Sequence, residues 1–147
     1  MKLILEKSET HKDIEIIIKY PRKNKNIEKL ISVINSIDIQ ITCYSDDELI
    51  IINASDIYYI ESVDKKTIIC CENKSYLFKD RLYKIYEKLT LAGFVQINKY
   101  CIVNINKLEK VKTLENSHLE AILSNGKSLY ITRKYLGDIK RILQENK

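Results

Sequence analysis

The stretch Phe94-Val-Gln-Ile-Asn-Lys-Tyr-Cys-Ile-Val-Asn104 has two halves. Cys101, Ile102 and Val103 form a short apolar run with β-branched residues, the pattern of a buried strand. Just before them stand Asn98, Lys99 and Tyr100, an amide, a cation and an aromatic hydroxyl. A packed strand needs none of the three. They suggest a polar tip presented by a rigid strand, although, taken alone, an ordinary loop with a solvated lysine is the commoner meaning of such residues.

A second stretch adds weight to the first reading. In Tyr130-Ile-Thr-Arg-Lys-Tyr135 a strand over residues 128–131 meets a helix, and Thr132 can serve as its N-cap. Arg133 and Lys134 then fall in the first helical turn, where the helix dipole disfavours cations. An anionic partner such as phosphate gives them a reason to be there.

Around these stretches the chain has the texture of a β protein. Short strands are predicted over residues 39–44, 48–53, 57–62, 67–71, 75–78, 100–103, 108–113, 119–123 and 128–131, separated by polar turns. Ser124-Asn-Gly-Lys127 marks a hairpin, with Asn-Gly supplying the positive φ values of a type I′ turn. Asp80 caps a short helix carrying Leu82, Ile85 and Leu89 on one face, and a last helix carries Leu136, Ile139, Ile142 and Leu143. Asn104 reads as a side-chain cap on a turn. The expected fold is mainly β, an antiparallel sandwich or barrel with short helices at its edges.

The first residues differ. Residues 1–6 and 13–20 read as strands, the latter through alternating Ile14, Ile16, Ile18 and Tyr20. Ile27, Leu30, Ile31 and Ile34 then mark an amphipathic helix over about residues 26–36. Residues 1–37 therefore form a strand–strand–helix extension, too small to fold alone, before a main domain over 38–147. It is expected to dock on that domain or on a second copy.

Composition excludes some classes. A hydrophobic share of 45% supplies a normal core, and 31% charged residues with three Gly and one Pro argue against disorder. The net charge of +5 permits nucleic-acid binding without demanding it. Cys43, Cys70, Cys71 and Cys101 lack C-x-x-C spacing and read as buried free thiols in a reducing cytoplasm, so no metal site is expected. There is no signal-peptide pattern, and no apolar run approaches the ~20 residues needed to span a bilayer. His11 and His118 lie outside any motif and read as surface residues; Asp46, Asp47 and Glu48 read as a solvated turn. Nothing favours catalysis or a cofactor.

Three ordered phrases resemble the LytTR-type DNA-binding domain of bacterial transcription regulators. They are Asp56-Ile-Tyr-Tyr-Ile-Glu61, the stretch quoted first, and Ile131-Thr-Arg-Lys-Tyr135. The family's versions are close to D-I-x-Y-I-E, F-x-R-x-H-R-S-Y-I-V-N and V-S-R-R-Y, and the resemblance covers roughly residues 39–147. It implies an elongated antiparallel β domain that contacts successive grooves of duplex DNA through loops between strands. Three loops would then share one side: residues 64–66, 98–100 and 132–134.

By the same resemblance the DNA-binding residues are Lys65, Lys66, Asn98, Lys99, Tyr100, Arg133 and Lys134. Arg133 matches a DNA-contacting arginine, whose fork can hold a guanine edge or a phosphate bidentately. Lys99 stands where the family usually has Arg or Asn, and as a point charge it suits phosphate better than a base. Asn98 replaces the usual His and could read an adenine edge; Tyr100 replaces the usual Ser, and Cys101 the usual Tyr. The Tyr100 hydroxyl can reach a phosphate or its ring can pack, and Lys65 and Lys66 fit groove contact or a solvated turn equally.

The reading is thus a sequence-specific DNA-binding regulator, acting as a homodimer or in pairs on repeated sites. The leading segment is far too short for a receiver domain, so control is expected from a partner protein or from expression level rather than aspartyl phosphorylation. The rival is a protein-interaction module that keeps the fold with weakened DNA readout.

Overall fold

The computed structural model describes residues 1–115 and 118–144. Ten strands follow a first helix: α1 (Lys25–Asp38), β1 (Gln40–Ser45), β2 (Glu48–Asn53), β3 (Ile57–Val63), β4 (Lys66–Cys71), β5 (Ser75–Phe78), α2 (Leu82–Leu89), β6 (Phe94–Asn98), β7 (Cys101–Asn104), β8 (Leu108–Thr113), β9 (Leu119–Leu123), β10 (Ser128–Ile131) and α3 (Arg133–Gln144). All the strand pairings are antiparallel. They make a seven-stranded sheet of order β2-β1-β5-β4-β3-β7-β6 and a three-stranded sheet of order β10-β9-β8. The fold is mainly β, as the sequence predicts.

The large sheet is buried on both faces at its centre. Ile57, Tyr58, Tyr59 and Ile60 of β3 are all buried, the continuous apolar run expected of a strand covered on both sides. One face, with Ile60, Ile69 and Ile102, packs on Ile85 and Leu89 of α2. The other, with Tyr59, Cys70 and Val103, packs on Ala121, Leu123, Leu129 and Ile131 of the small sheet and Ile139 of α3. Each such isoleucine or leucine stabilises the fold by roughly 1.5–3 kcal/mol through removal of apolar surface from water. Asn104 is buried between them. Its amide donates to the Ile57 carbonyl at 2.9 Å and accepts from the Asn106 N–H at 3.0 Å, capping the turn as expected and tying β7 to the start of β3. All four cysteines are free thiols, three of them buried. Burial pushes the Cys71 thiol up to about 11 and that of Cys101 up to about 12, so both are neutral near pH 7.

The structure departs from the sequence reading at several places. The strand β6 was not anticipated: Phe94, Val95 and Ile97 bury themselves against β7, turning the first half of the opening stretch into structure of its own. The helix α2 takes Arg81, not Asp80, as its N-cap, without a side-chain bond. At Asn125-Gly126 only the glycine has positive φ, +87°, and its N–H reaches the Leu123 carbonyl at 2.9 Å. Because Ile122 pairs with Ser128, the loop is one residue too long for a type I′ turn, and the left-handed residue falls at its end.

The largest correction concerns the extension. Its helix forms, slightly longer than expected and capped by the Asn24 side chain, which accepts from Ile27 N–H at 3.1 Å. The two predicted strands, residues 1–6 and 13–20, join no sheet. A strand exists only through its ladder, and the described residues offer this segment none; a turn closed by His11 N–H on the Ser8 carbonyl at 3.3 Å is its local order. By contrast α1 is fastened to the body. The Asn35 amide donates to the Leu91 carbonyl at 3.1 Å, and Ser32 lies so close to Gly93, at φ +85°, that an added Cβ there would meet it at 3.0 Å.

A candidate nucleic-acid interface

Three connections converge at one end of the large sheet. The β3–β4 hairpin turns through Asp64 and Lys65, with φ of 50° and 66°, while Val63 pairs with Lys66. Two successive left-handed residues are the geometry of a tight two-residue hairpin, and a lysine held there costs about 1 kcal/mol of backbone strain. Lys66 is therefore the first residue of β4 rather than part of the turn. Both lysines are exposed.

The β6–β7 connection is Lys99 and Tyr100, both exposed. The Asn98 side chain builds it. Its carbonyl oxygen accepts from the Tyr100 N–H at 2.8 Å, and its amide nitrogen donates to the Tyr130 carbonyl on β10, also at 2.8 Å. The Tyr100 carbonyl in turn accepts from Ser62 N–H at 2.8 Å, joining this turn to β3 just before the Asp64–Lys65 bend. Lys99 lies over the Tyr100 ring at 5.6 Å.

The third connection is β10 to α3. Thr132 N–H donates to the Ile97 carbonyl at 3.0 Å, and the Thr132 carbonyl accepts from Tyr135 N–H at 3.0 Å. Both bonds that fix Thr132 are main-chain bonds. The helix starts at Arg133, so Arg133 and Lys134 occupy its first turn, exposed, with no acid beside them in that turn. Three hydrogen bonds, Ser62 to Tyr100, Asn98 to Tyr130 and Thr132 to Ile97, thus gather segments far apart in sequence into one tip.

All seven residues singled out from the sequence sit on these three connections or at their edges. Six are exposed and Asn98 is half-buried. Among the described residues the ion pairs are Lys23–Glu28 at 3.9 Å and Asp138–Arg141 at 3.6 Å, so none of Lys65, Lys66, Lys99, Arg133 and Lys134 is neutralised by one. Four lysines and an arginine, added to the positive end of α3, make a predominantly positive surface, with Asp64 as the one acid of the β3–β4 turn.

His118 is exposed, as the sequence reading expects, but its contact with Tyr130 is not foreseen there. His118 Nδ1 lies 3.0 Å from the Tyr130 hydroxyl, beside the strand whose carbonyl Asn98 holds. The sequence held no clear signal for this pair: the two-residue turn predicted at Asn125-Gly126 shifts the register by one, and the observed register sets His118 opposite Thr132 rather than Tyr130. Among the described residues no group of three or more His, Cys, Asp or Glu is placed to hold a metal ion.

With this geometry established, comparison with known proteins is decisive. The family model of the LytTr DNA-binding domain matches residues 47–144. The chain belongs to the LytTr DNA-binding domain family. That family is a DNA-binding one, not a class of enzyme. An uncharacterized HTH-type transcriptional regulator of Staphylococcus aureus strain NCTC 8325 is 31% identical over 145 residues, covering 97% of each chain. The counterpart in strain N315 is 30% identical over the same length and coverage. A solved LytTr DNA-binding domain from Bacillus cereus shares the fold, with a TM-score of 0.66 and 23% identity over 71% of this chain and 96% of that one. Among the described residues the LytTr chain has no helix-turn-helix, since strands separate each α-helix from the next. All seven candidate residues fall inside the matched range, and residues 1–46 fall outside it.

Proposed function

We propose that the protein is a sequence-specific regulator of transcription that grips duplex DNA with the three-connection tip. The observation that carries this is the tip itself: five cations in no ion pair among the described residues, on three segments that hydrogen bonds fasten together. A helix of the size of α3 could enter a major groove, but its apolar stripe is spent on the core through Ile139. Contact falls instead to its first turn and to the two hairpin ends beside it.

The roles divide by chemistry. Arg133 reads a base edge, because its fork springs from a junction fixed by two main-chain bonds. Lys65, Lys66, Lys99 and Lys134 hold phosphates, and Tyr100 adds a hydroxyl beside Lys99. Asn98 acts one step back. With its oxygen on Tyr100 and its amide on Tyr130, it positions the turn rather than reading adenine. The protein acts in the cytoplasm, on repeated sites or as a pair; among the described residues no helix is long and apolar enough to cross a membrane.

Selection of bound sequences from a random duplex pool tests this. An enriched motif, present in two spaced copies, is expected. Binding should weaken with salt at a log–log slope of roughly 0.9 per phosphate held. A pool that enriches nothing, with binding indifferent to salt, would overturn the reading and return the fold to the role of a protein-interaction module.

A further inference from the structure

The segment before α1 carries an unusual amount of exposed apolar surface. Ile14, Ile16 and Ile17 are 87%, 58% and 70% exposed, and Leu3 and Leu5 more than 80%. Scattered apolar residues on a surface are ordinary, but a contiguous β-branched run is not. Nor does the main chain of residues 13–20 pair in any sheet. Side chains and backbone both call for a strand partner.

The order of residues says which partner fits. Ile14-Glu15-Ile16-Ile17-Ile18-Lys19-Tyr20 is symmetric about Ile17 in polarity and antisymmetric in charge. Run antiparallel against itself, it sets Ile16 opposite Ile18, Ile14 opposite Tyr20 and Ile17 opposite its own copy. Glu15 then faces Lys19, twice, because a two-fold axis repeats every contact. A strand with like charges at those two positions would repel its own copy. The edge of β2, with Leu49 and Ile51 each 62% exposed, is an apolar sheet edge where such a strand could also lie. There Lys19 could meet Glu48, but Glu15 would face Ile52. Self-pairing matches every position of the segment, and β2 does not.

We infer that residues 14–20 form a two-fold antiparallel ribbon with the same segment of a second copy, making the protein a dimer. The inference deepens the paired binding proposed above and names the contact that carries it. It also accounts for the absence of a ladder for this segment among the described residues, since the ladder needs two chains. A lone two-stranded ribbon is marginal, and the exposed Ile31 and Ile37 of α1 are further apolar surface that it can cover.

The test uses the full chain without DNA, so its outcome is independent of the DNA reading. Sedimentation equilibrium at micromolar concentration should give a dimer. Glu15→Lys and Lys19→Glu should each raise the dissociation constant roughly tenfold or more, since each replaces two attractive cross-strand pairs with two repulsive ones. The double variant Glu15→Lys/Lys19→Glu should restore the original constant. Ile17→Cys should crosslink as a symmetric disulfide dimer under mild oxidation. A monomer at all concentrations, or a dimer indifferent to the single reversals, would overturn the inference. Rescue of Lys19→Glu by Glu48→Lys instead would move the strand to the β2 edge and equally overturn it.

Discussion

The tip and the N-terminal segment are both exposed, but they are exposed in different ways. At the tip the side chains are charged and the main chain is held: Tyr100, Thr132 and Ser62 N–H groups all have partners at 2.8–3.0 Å. In residues 13–20 the side chains are mostly apolar and the main chain belongs to no ladder. Exposed charge is cheap in water, so a rigid cationic tip is stable without a ligand and is ready for one. Exposed isoleucine is costly, which is the ground on which we infer a partner for the segment. On the readings proposed above, the tip is held ready for a ligand of a different kind, whereas the segment gains its ladder only from a copy of itself.

The most direct way to break this contrast is amide hydrogen exchange in dilute protein, below the dimer dissociation constant. The amides of Tyr100 and Thr132 should be protected, by about a thousandfold or more if they open only with the body. Those of residues 14–20 should exchange almost freely, and gain protection as concentration rises. If the tip amides exchange as fast as the segment, the tip is not preorganised and the contrast fails.

Preorganisation has a second consequence. Arg133→Ala should cut the preference for the selected site over random duplex by about 5- to 150-fold, the equivalent of roughly 1–3 kcal/mol for a lost bidentate base contact. Titrations against both duplexes check it. An unchanged ratio would show that the junction does not read bases.

Asn98→Ala should act on the body before it acts on DNA. It frees the Tyr130 carbonyl and the Tyr100 N–H together, at a cost of about 1–3 kcal/mol, measured as a lower urea midpoint with unchanged slope. Asn98→Asp keeps an oxygen for Tyr100 but offers no donor to Tyr130, and should fall between. If alanine leaves the midpoint in place, Asn98 is not what ties the turn to β10.

Much of this was legible in the residues. The bounds of β2, β5, β8, β9 and β10 follow from apolar alternation between turn residues, because those signals are local. The three cationic segments were found through their phrases. What they hold on to was not, since Asn98 and Tyr130 are 32 residues apart and a side chain's donors do not reveal their acceptors. The same limit hid β6, whose Phe94, Val95 and Ile97 are too few to signal a strand until β7 supplies the ladder. In residues 13–20 the alternation was real, but alternation reports that a face wants burial and not what will bury it. The α1 helix is fastened to the body through Asn35 and Ser32, the kind of docking expected of a unit too small to fold alone.

The smallest expected effect is at Lys99, and it separates the two kinds of contact within the tip. Its turn is tied down through Asn98 and Tyr100, as the Arg133 junction is through Thr132, so the expected contrast rests on the two side chains. An ammonium is a compact charge on a flexible stem, at home on any phosphate, and the Tyr100 ring beneath it gives it a resting place without a fixed direction. Lys99→Ala should therefore lower the affinities for specific and random duplex by the same factor, leaving their ratio intact. It should also reduce the salt slope by about one unit, the release of one fewer counterion. Lys99→Arg should keep the slope. A ratio that falls on Lys99→Ala would mean the turn reads sequence as well as backbone, and the division of labour between the β6–β7 turn and the α3 junction would have to be redrawn.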